Sequence, residues 1–239
     1  MQVKPDILSV DSKKTQVEHM FDSISPKYDF LNRSLSLGID TIWRKKTINA
    51  LKHIHPKRIL DVATGTGDLA IEALRLNPDK VIGIDISEGM LGIGRKKLAK
   101  GSMSKIELIK GDSENITFKD GEFDAVTVAF GVRNFENLEK GLKEMNRVMR
   151  IGGMIAILEF SKPTMVPFKQ FYNFYFNRIL PFIGNKLSKN NNAYTYLPQS
   201  VNAFPDGKDF MKIMAECGYK NCNQRRFMFG ISTLYTATK

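Results

Sequence analysis

The sequence predicts an α/β protein built on a doubly wound, mostly parallel sheet. Short apolar runs alternate with segments of helical apolar spacing between residues 58 and 160. A turn with two glycines follows the first run, and acidic residues stand at or just after the ends of the next two. Such alternation is typical of parallel strands joined by right-handed crossovers, and ligands of these sheets bind beyond the carboxyl ends of the strands.

Two helices are predicted before the first strand. Residues 12–25 form a short helical pattern that ends near Pro26, and residues 41–53 carry apolar residues at helical spacing. The stretch 27–40 between them contains Asn, Ser and Gly, and is predicted to be a loop.

The alternating region supplies most of the predicted sheet. The expected strands here are 58–62, 80–85, 105–109, 123–130 and 154–160. The helices between them are 68–76, 87–99 and 136–149. Pro78 ends the first of these helices, and Gly152 with Gly153 ends the third. The side chains expected at the shared rim are those of Thr64, Asp85, Asp112 and Ala129.

Residues 161–205 interrupt the alternation and are predicted to form an aromatic helical insertion, with a loop at 190–198. Helix 206–216 and strands near 220–227 and 230–238 follow, the two strands forming an antiparallel hairpin at Gly230. One domain is expected over residues 1–239. Its parts are an N-terminal helical lid (1–55), a cofactor-binding core (56–160), a substrate-side insertion (161–205) and a C-terminal helix with the hairpin (206–239).

The composition limits the possible partners. At 239 residues the chain is long enough for one well-buried α/β domain. A formal net charge of +11 suits nucleic acid or an anionic membrane surface, but the lysines are scattered rather than massed. Two cysteines and three histidines without ligand spacing predict no metal site. No stretch approaches the ~20 apolar residues of a membrane span. We expect a cytoplasmic protein, with peripheral contact at the inner membrane face left open.

The most informative stretch is 61–68, which reads Asp-Val-Ala-Thr-Gly-Thr-Gly-Asp. Gly65 and Gly67 allow the main chain to pass close to a ligand. Asp85 ends the second strand, where a carboxylate can bind the two hydroxyls of a ribose. The pattern indicates a cofactor that contains a nucleoside. A tight turn without a ligand is the alternative, and the acid at 85 disfavours it.

Two classes of cofactor compete for this turn. Asp61 and Asp68 flank it, and their carboxylates would repel the pyrophosphate of a dinucleotide. They suit a cation, such as the amino group or the sulfonium of S-adenosylmethionine, whose carboxylate can meet backbone N–H groups. We therefore favour S-adenosyl-L-methionine over a dinucleotide.

Further segments carry a resemblance to a known family. They are Tyr28–Asn32 with Leu35–Gly38 and Trp43-Arg44, Phe130–Phe135, Tyr194–Pro198 with Ser200-Val201 and Phe204-Pro205, and Gly230 with Leu234-Tyr235. Together with the 61–68 turn, Asp85 and Gly111-Asp112, they resemble the menaquinone/ubiquinone biosynthesis C-methyltransferase family of class I S-adenosylmethionine-dependent methyltransferases. The resemblance extends from about residue 17 to the end of the chain.

The resemblance implies a seven-stranded methyltransferase fold with the last strand antiparallel, and methyl transfer to a ring carbon of a reduced prenylated quinone. Demethylmenaquinol is the favoured substrate; the alternatives are a polyprenyl methoxy-benzoquinol, another small molecule, or RNA. The donor-contacting positions that carry over are Thr64, Asp85, Asp112 and Ser113. The expected donor site is completed by Asp61, Gly65, Gly67, Ala129 and Tyr28. The chain departs from many relatives at 112–113, where they have Asn-Ala, and from some at 129, where they have Ser.

Carbon methylation requires a ring hydroxyl to lose its proton, wholly or in part. Arg133 and Asn134 directly follow strand 123–130, and an arginine there can lower the pKa of that hydroxyl and hold the phenolate. Asn134 can position a hydroxyl or a water. The alternative for Arg133 is an ion pair with a helix carboxylate such as Glu136. Tyr194 and Tyr196 are expected either to contact the quinol head or to fill the core.

Residues 165–187 are the candidate site for the prenyl chain, as an apolar groove or at a membrane interface; a core helix covering the sheet is the rival interpretation. A nucleic-acid partner is disfavoured because this extra segment is aromatic rather than rich in arginine. A homodimer is left open.

Overall fold

A computed structural model describes residues 3–36, 38–101, 103–167, 169–170, 174 and 192–239. These residues build a seven-stranded sheet in the order β3-β2-β1-β4-β5-β7-β6. The strands are β1 Arg58–Val62, β2 Lys80–Asp85, β3 Ile106–Lys110, β4 Phe123–Ala129, β5 Met149–Phe160, β6 Lys220–Phe227 and β7 Ser232–Thr238. Strands β1 to β5 are parallel, and β7 is antiparallel to both β5 and β6. The predicted sheet, its C-terminal hairpin and its antiparallel last strand are confirmed.

Helices cover both faces of this sheet. Those in the described ranges are α1 Lys13–Ile24, α2 Tyr28–Leu35, α3 Ile39–Ala50, α4 Asp68–Ala73, α5 Glu88–Lys100, α6 Leu138–Val148, α7 Asn192–Ala203 and α8 Lys208–Glu216. Neighbouring strand residues face opposite cores: Leu60 packs with Phe210 of α8, and Ile59 packs in the cluster that contains Trp43 of α3. Because both faces are buried, the central strands are continuous apolar runs, which made them recognisable in the sequence.

The loop predicted at 27–40 is wrong, because the structure has α2 and the start of α3 there. Helix α2 has only eight residues and is held by tertiary contacts. Its Asp29 accepts a hydrogen bond from the Thr66 hydroxyl at 2.6 Å and pairs with Lys97 at 2.9 Å. Gly38, with φ of 76°, separates α2 from α3. Contacts with the distant 61–68 turn therefore stabilise a helix that local propensity does not predict.

The loop predicted at 190–198 is also wrong, because α7 begins at Asn192 and contains Pro198. Tyr196 and Val201 of this helix are buried, and Tyr196 packs against Val17 and Met20 of α1. Burial against α1 stabilises the helix in spite of its proline. Most of the aromatic stretch 165–187 lies outside the described residues, and so does its predicted role in holding a prenyl chain.

Candidate active site

A cleft of about 680 Å³ lies over the carboxyl ends of β1 to β4, beneath α1 and the start of α2. Six residues predicted for the donor site line it: Tyr28, Gly65, Asp85, Asp112, Ser113 and Ala129. Asn134, predicted to be catalytic, lines it as well. We call the part formed by the ends of β1, β2 and β3 the β1–β3 side. The part formed by the residues after β4, the end of β5 and α7 is the β4–β5 side.

Asp85 ends β2 with both carboxylate oxygens hydrogen-bonded. Its Oδ2 accepts from the N–H of Gly65 at 2.8 Å, and its Oδ1 accepts from the N–H of Ser87 at 2.9 Å. Burial raises the pKa of this carboxyl to about 6. Each oxygen keeps a second lone pair, so the carboxylate can still accept two hydroxyls while the loop fixes its position. This arrangement fits the ribose diol of a nucleoside-containing methyl donor.

Asp61 and Thr64 lie beneath the cleft rather than in its wall. The buried Asp61 carboxylate accepts from the Thr64 hydroxyl at 2.5 Å and from the Thr127 hydroxyl at 2.7 Å. The Thr64 side chain also fills the space above Gly83, where an added Cβ would come within 2.7 Å of its hydroxyl. Burial raises the pKa of Asp61 to about 6. These two side chains therefore brace the turn that carries Gly65, and neither is among the residues that line the cleft.

Gly67 and Asp68 also have structural roles in this turn. Gly67 precedes α4 in a left-handed conformation with φ of 80°. The Asp68 carboxylate pairs with Lys97 at 2.6 Å and with Arg44 at 3.2 Å. The inference that Asp61 and Asp68 would present their carboxylates to a cation is wrong in its geometry, because neither lines the cleft. The carboxylate of Asp85 does.

Asp112 is held by a residue that sequence reasoning did not single out. Its Oδ2 accepts from Lys14 of α1 at 2.7 Å, and its Oδ1 accepts from the N–H of Glu114 at 2.8 Å. Lys14 lines the cleft together with Asp112. The helix α1 is thus tied across the β1–β3 side. The adjacent pair Lys13-Lys14 was the available sequence signal, but a charged pair on a short helix is usually solvent-exposed.

Lys13 ties α1 to the other side of the cleft. Its Nζ donates to the carbonyls of Arg133 at 3.0 Å and Phe135 at 2.8 Å, and its N–H donates to Glu136 at 3.0 Å. Burial, with a further contribution from the charge of Arg133, lowers the pKa of Lys13 to about 8. Two consecutive lysines therefore connect α1, which covers the cleft, to both sides of the cleft.

Arg133 has a different carboxylate partner from the one considered in the sequence. Its Nη1 pairs with Glu159 at the end of β5 at 2.7 Å and also donates to the carbonyl of Phe130. Both side chains are buried, with 8% and 0% exposure. Burial raises the pKa of Glu159, and the positive charge of Arg133 opposes this rise. The carboxylate that holds Arg133 is thus on a strand, and Arg133 is not among the residues that line the cleft.

Three buried polar atoms on the β4–β5 side have no hydrogen-bond partner in the described structure. They are Arg133 Nε, Asn134 Oδ1 and Tyr196 Oη. Tyr196 comes from α7, and burial raises the pKa of its phenol to about 12, with Arg133 opposing the shift. Tyr194 lies in the first turn of the same helix, and its side chain is outside the described residues. A donor, an acceptor and a hydroxyl are therefore available next to the cleft.

An aromatic wall adjoins these polar atoms. Phe130 follows β4 with φ of 58°, and its ring stacks on that of Phe160 with centroids 4.4 Å apart. The Arg133 guanidinium lies 5.4 Å from the centre of the Phe160 ring. Flat aromatic surfaces beside hydrogen-bonding groups suit a planar ring that carries hydroxyls.

Two further features bear on the chemistry. Within the described residues, no group of three or more His, Cys, Asp or Glu side chains could hold a metal ion. The described helices include none that is long and apolar enough to cross a membrane.

The whole chain is similar to known methyltransferases. The model of the ubiE/COQ5 methyltransferase family matches residues 9–239. The demethylmenaquinone methyltransferase of Bacteroides fragilis is 51% identical over 241 residues, which cover 100% of this chain and 98% of that protein. The ubiquinone/menaquinone biosynthesis C-methyltransferase UbiE of Geotalea daltonii is 45% identical over 236 residues, with 98% and 100% coverage.

Solved structures agree on the fold. A methyltransferase from Thermotoga maritima that depends on S-adenosylmethionine matches with a TM-score of 0.66 at 18% identity, over 92% of this chain and 99% of that one. The methyl donor of this enzyme is S-adenosyl-L-methionine, and the residues around Asp85 and Gly65 fit it. The family match over nearly the full length, together with this cleft, shows that the chain belongs to the ubiE/COQ5 methyltransferase family.

Proposed function

We propose that this enzyme methylates a ring carbon of demethylmenaquinol and so produces menaquinol. The name of the Bacteroides fragilis relative supports this substrate, since that protein is aligned over the full length of this chain. The name of the Geotalea daltonii relative includes ubiquinone as well as menaquinone, so a polyprenyl methoxy-benzoquinol is the substrate to test against.

The observation that carries the proposal is the group of unpaired polar atoms on the β4–β5 side. Among the described residues, Arg133 Nε, Asn134 Oδ1 and Tyr196 Oη are buried without partners, and each such atom costs roughly 1–3 kcal/mol. A ring hydroxyl can both donate and accept, so a hydroquinone entering beside the aromatic wall could satisfy them after a small movement of the side chains. An oxidised quinone has only carbonyl acceptors and would leave Asn134 Oδ1 unpaired.

The residues of this chain have distinct parts in the proposed reaction. Asp85 and Gly65 would hold the donor, which would supply an electrophilic methyl group for the ring carbon, with the ring hydrogen leaving as a proton. Asn134 orients a ring hydroxyl. Arg133 favours the ionised form of that hydroxyl through its charge, which Glu159 positions. Alignment of the ring carbon with the methyl group lowers the barrier further.

A methyl-transfer assay with mass-spectrometric detection tests the proposal. Reduced demethylmenaquinone, its oxidised form and a polyprenyl methoxy-benzoquinol are each supplied with S-adenosyl-L-methionine. We expect methylated product from the reduced naphthoquinone, and none from the oxidised form. Donor binding is measured separately by calorimetry. Absence of product from reduced demethylmenaquinone, in a preparation that binds the donor, would refute the proposal.

A further inference from the structure

A patch of apolar and basic side chains adjoins the cleft, and we propose that it docks on an anionic lipid bilayer. The patch, called here the rim patch, consists of Ile42, Lys45 and Lys46 of α3, Arg225 of β6, and Met228 and Phe229 of the turn between β6 and β7. The inference rests on the proposed function in one respect, because a prenylated quinol resides in a bilayer.

The sheet topology places the rim patch beside the substrate. Phe227 at the end of β6 pairs with Ser232 at the start of β7, and Ser232 pairs with Phe160 at the carboxyl end of β5. The turn that carries Met228 and Phe229 therefore projects from the same rim as the cleft, on the β4–β5 side. A membrane beneath this turn would face the half of the site assigned to the quinol.

The apolar members of the patch are exposed to solvent. Ile42 is 50% exposed, Met228 44% and Phe229 54%. Met228 and Phe229 have φ angles of 45° and 57°, a left-handed conformation that is unfavourable for large side chains and that Asn adopts more readily. Neither the solvent nor the backbone favours Met and Phe here. An apolar medium outside the protein would favour the exposed part of both side chains.

Two of the basic members lie beside Phe227, the residue that precedes Met228. The Lys46 ammonium lies 5.2 Å and the Arg225 guanidinium 5.8 Å from the centre of the Phe227 ring. Ile42 is one helical turn before Lys46, on the same face of α3. Apolar side chains that enter the interface and cations that meet anionic head groups together produce peripheral binding. A second copy of this chain is a poor occupant, because each carries a formal charge of +11.

Vesicle co-sedimentation tests the docking surface without reference to catalysis. The full chain is mixed with vesicles rich in phosphatidylglycerol or made of phosphatidylcholine alone. We expect strong partition to the anionic vesicles only, and about a tenfold or greater loss for the pair Met228→Asn/Phe229→Asn, which suits the backbone of the turn. The control is Ile151→Ser, because Ile151 is 85% exposed near the amino end of β5, whereas the cleft and the rim patch lie at the carboxyl end of that strand.

A charge variant separates the two contributions. Lys45→Gln/Lys46→Gln is expected to weaken partition by about 30-fold, since each of the two cations near an anionic surface contributes about 1 kcal/mol. The control pair Lys140→Gln/Lys143→Gln lies on α6 and is expected to bind as the wild type does. Equal losses for the rim-patch and control variants would overturn the proposal. So would loss of a dimer from Met228→Asn/Phe229→Asn in sedimentation velocity, which would make the patch a self-interface.

An activity measurement distinguishes this inference from the proposed function. With a short-chain demethylmenaquinol in detergent, Met228→Asn/Phe229→Asn is expected to turn over as the wild type does; with long-chain quinol in anionic vesicles, its rate is expected to fall about tenfold, in line with its lost partition. Equal rates in vesicles would overturn the docking surface. If the wild type methylates neither quinol, the proposed function fails, while vesicle binding by the rim patch would still stand.

Discussion

The two sides of the cleft differ in how completely their polar groups are hydrogen-bonded. On the β1–β3 side, both oxygens of Asp85 and both of Asp112 accept hydrogen bonds from the protein. On the β4–β5 side, Arg133, Asn134 and Tyr196 each leave a buried polar atom without a partner in the described structure. The first side is organised by the protein alone. We propose that the second is completed by the substrate that enters the cleft.

We propose that this difference corresponds to the two ligands, with the donor on the β1–β3 side and the quinol on the β4–β5 side. The donor binds carboxylates and main chain that the protein already holds in place, so little of its binding energy is spent on ordering the site. The quinol must supply hydrogen bonds that the protein lacks, so its hydroxyls are what the β4–β5 side selects. A site that leaves its own groups unpaired rejects a ligand that cannot satisfy them. Four predictions test this division.

The largest effect is expected on the β4–β5 side, from Arg133→Ala. The substitution leaves Glu159 buried without its cation and should lower the free energy of unfolding by about 3–5 kcal/mol, measured by urea denaturation. The double variant Arg133→Met/Glu159→Gln, which removes both charges, should recover most of this loss. Methyl transfer should fall in both, while donor affinity measured by calorimetry stays within a few-fold. Equal destabilisation by the single and double variants would contradict the buried pair.

On the β1–β3 side, Asp61 is expected to make stability depend on pH. Burial raises its pKa from 3.8 to about 6, so the folded chain binds more protons than the unfolded chain between these values. Its contribution to stability therefore falls as pH rises through this window, by roughly 3 kcal/mol in all. The free energy of unfolding of Asp61→Asn minus that of the wild type should rise by this amount between about pH 4 and pH 7. A difference that does not change with pH would show that Asp61 is not buried as an acid.

The variant Asp85→Asn, also on the β1–β3 side, is expected to bind the donor more weakly. The amide keeps one acceptor but cannot accept from both backbone N–H groups and both ribose hydroxyls, so the Kd for S-adenosyl-L-methionine should rise about 30- to 100-fold in calorimetry. Asp79→Asn is the control, because Asp79 is largely exposed and pairs with Lys57, next to β1 and β2 at their amino ends. An unchanged Kd in Asp85→Asn would show that the donor does not bind on the β1–β3 side.

The smallest effect is expected from Tyr196→Phe, which is compared with the loss of a hydrogen-bonded tyrosine hydroxyl. Because Tyr196 Oη has no partner, its removal should leave the free energy of unfolding within about 0.5 kcal/mol, while kcat/KM for the quinol falls about tenfold. Tyr219→Phe is the matched control, since its buried hydroxyl donates to the carbonyl of Leu142 at 2.9 Å. That variant should lose about 1 kcal/mol of stability and keep its activity. The reverse pattern would mean that Tyr196 is only a core residue.

Part of the candidate donor site follows from the sequence because its elements are local. Gly65 follows β1 and Asp85 ends β2, so the strand pattern alone brought them to one rim. Thr64 was assigned to that site by the family resemblance, and Asp61 because it belongs to the same turn. The direction of a side chain depends on its neighbours, however, and Gly83 together with Thr127 directs this pair beneath the cleft.

Fewer features of the β4–β5 side could be predicted from the sequence, because the contacts there join residues that are distant in the chain. Arg133 was placed correctly after β4, but its partner Glu159 lies at the end of another strand, and no spacing rule connects the two. Helix α7 was taken for a loop because Pro198 and the neighbouring asparagines oppose a helix locally. The contact of Tyr196 with Val17 and Met20 of α1 stabilises it.

The sequence by itself determined the order of strands and helices, the rim on which ligands bind and the class of methyl donor, because each follows from periodicity or from residues adjacent in the chain. Only the tertiary structure decided which of those residues face the cleft, which carboxylate holds Arg133 and which polar atoms remain unpaired. Those outcomes depend on packing between α1, α7 and the ends of β4 and β5, segments separated by more than a hundred residues in the extreme case of Lys13 and Arg133. Hydrogen bonding and burial at such contacts are properties of the assembled core, and no local pattern encodes them.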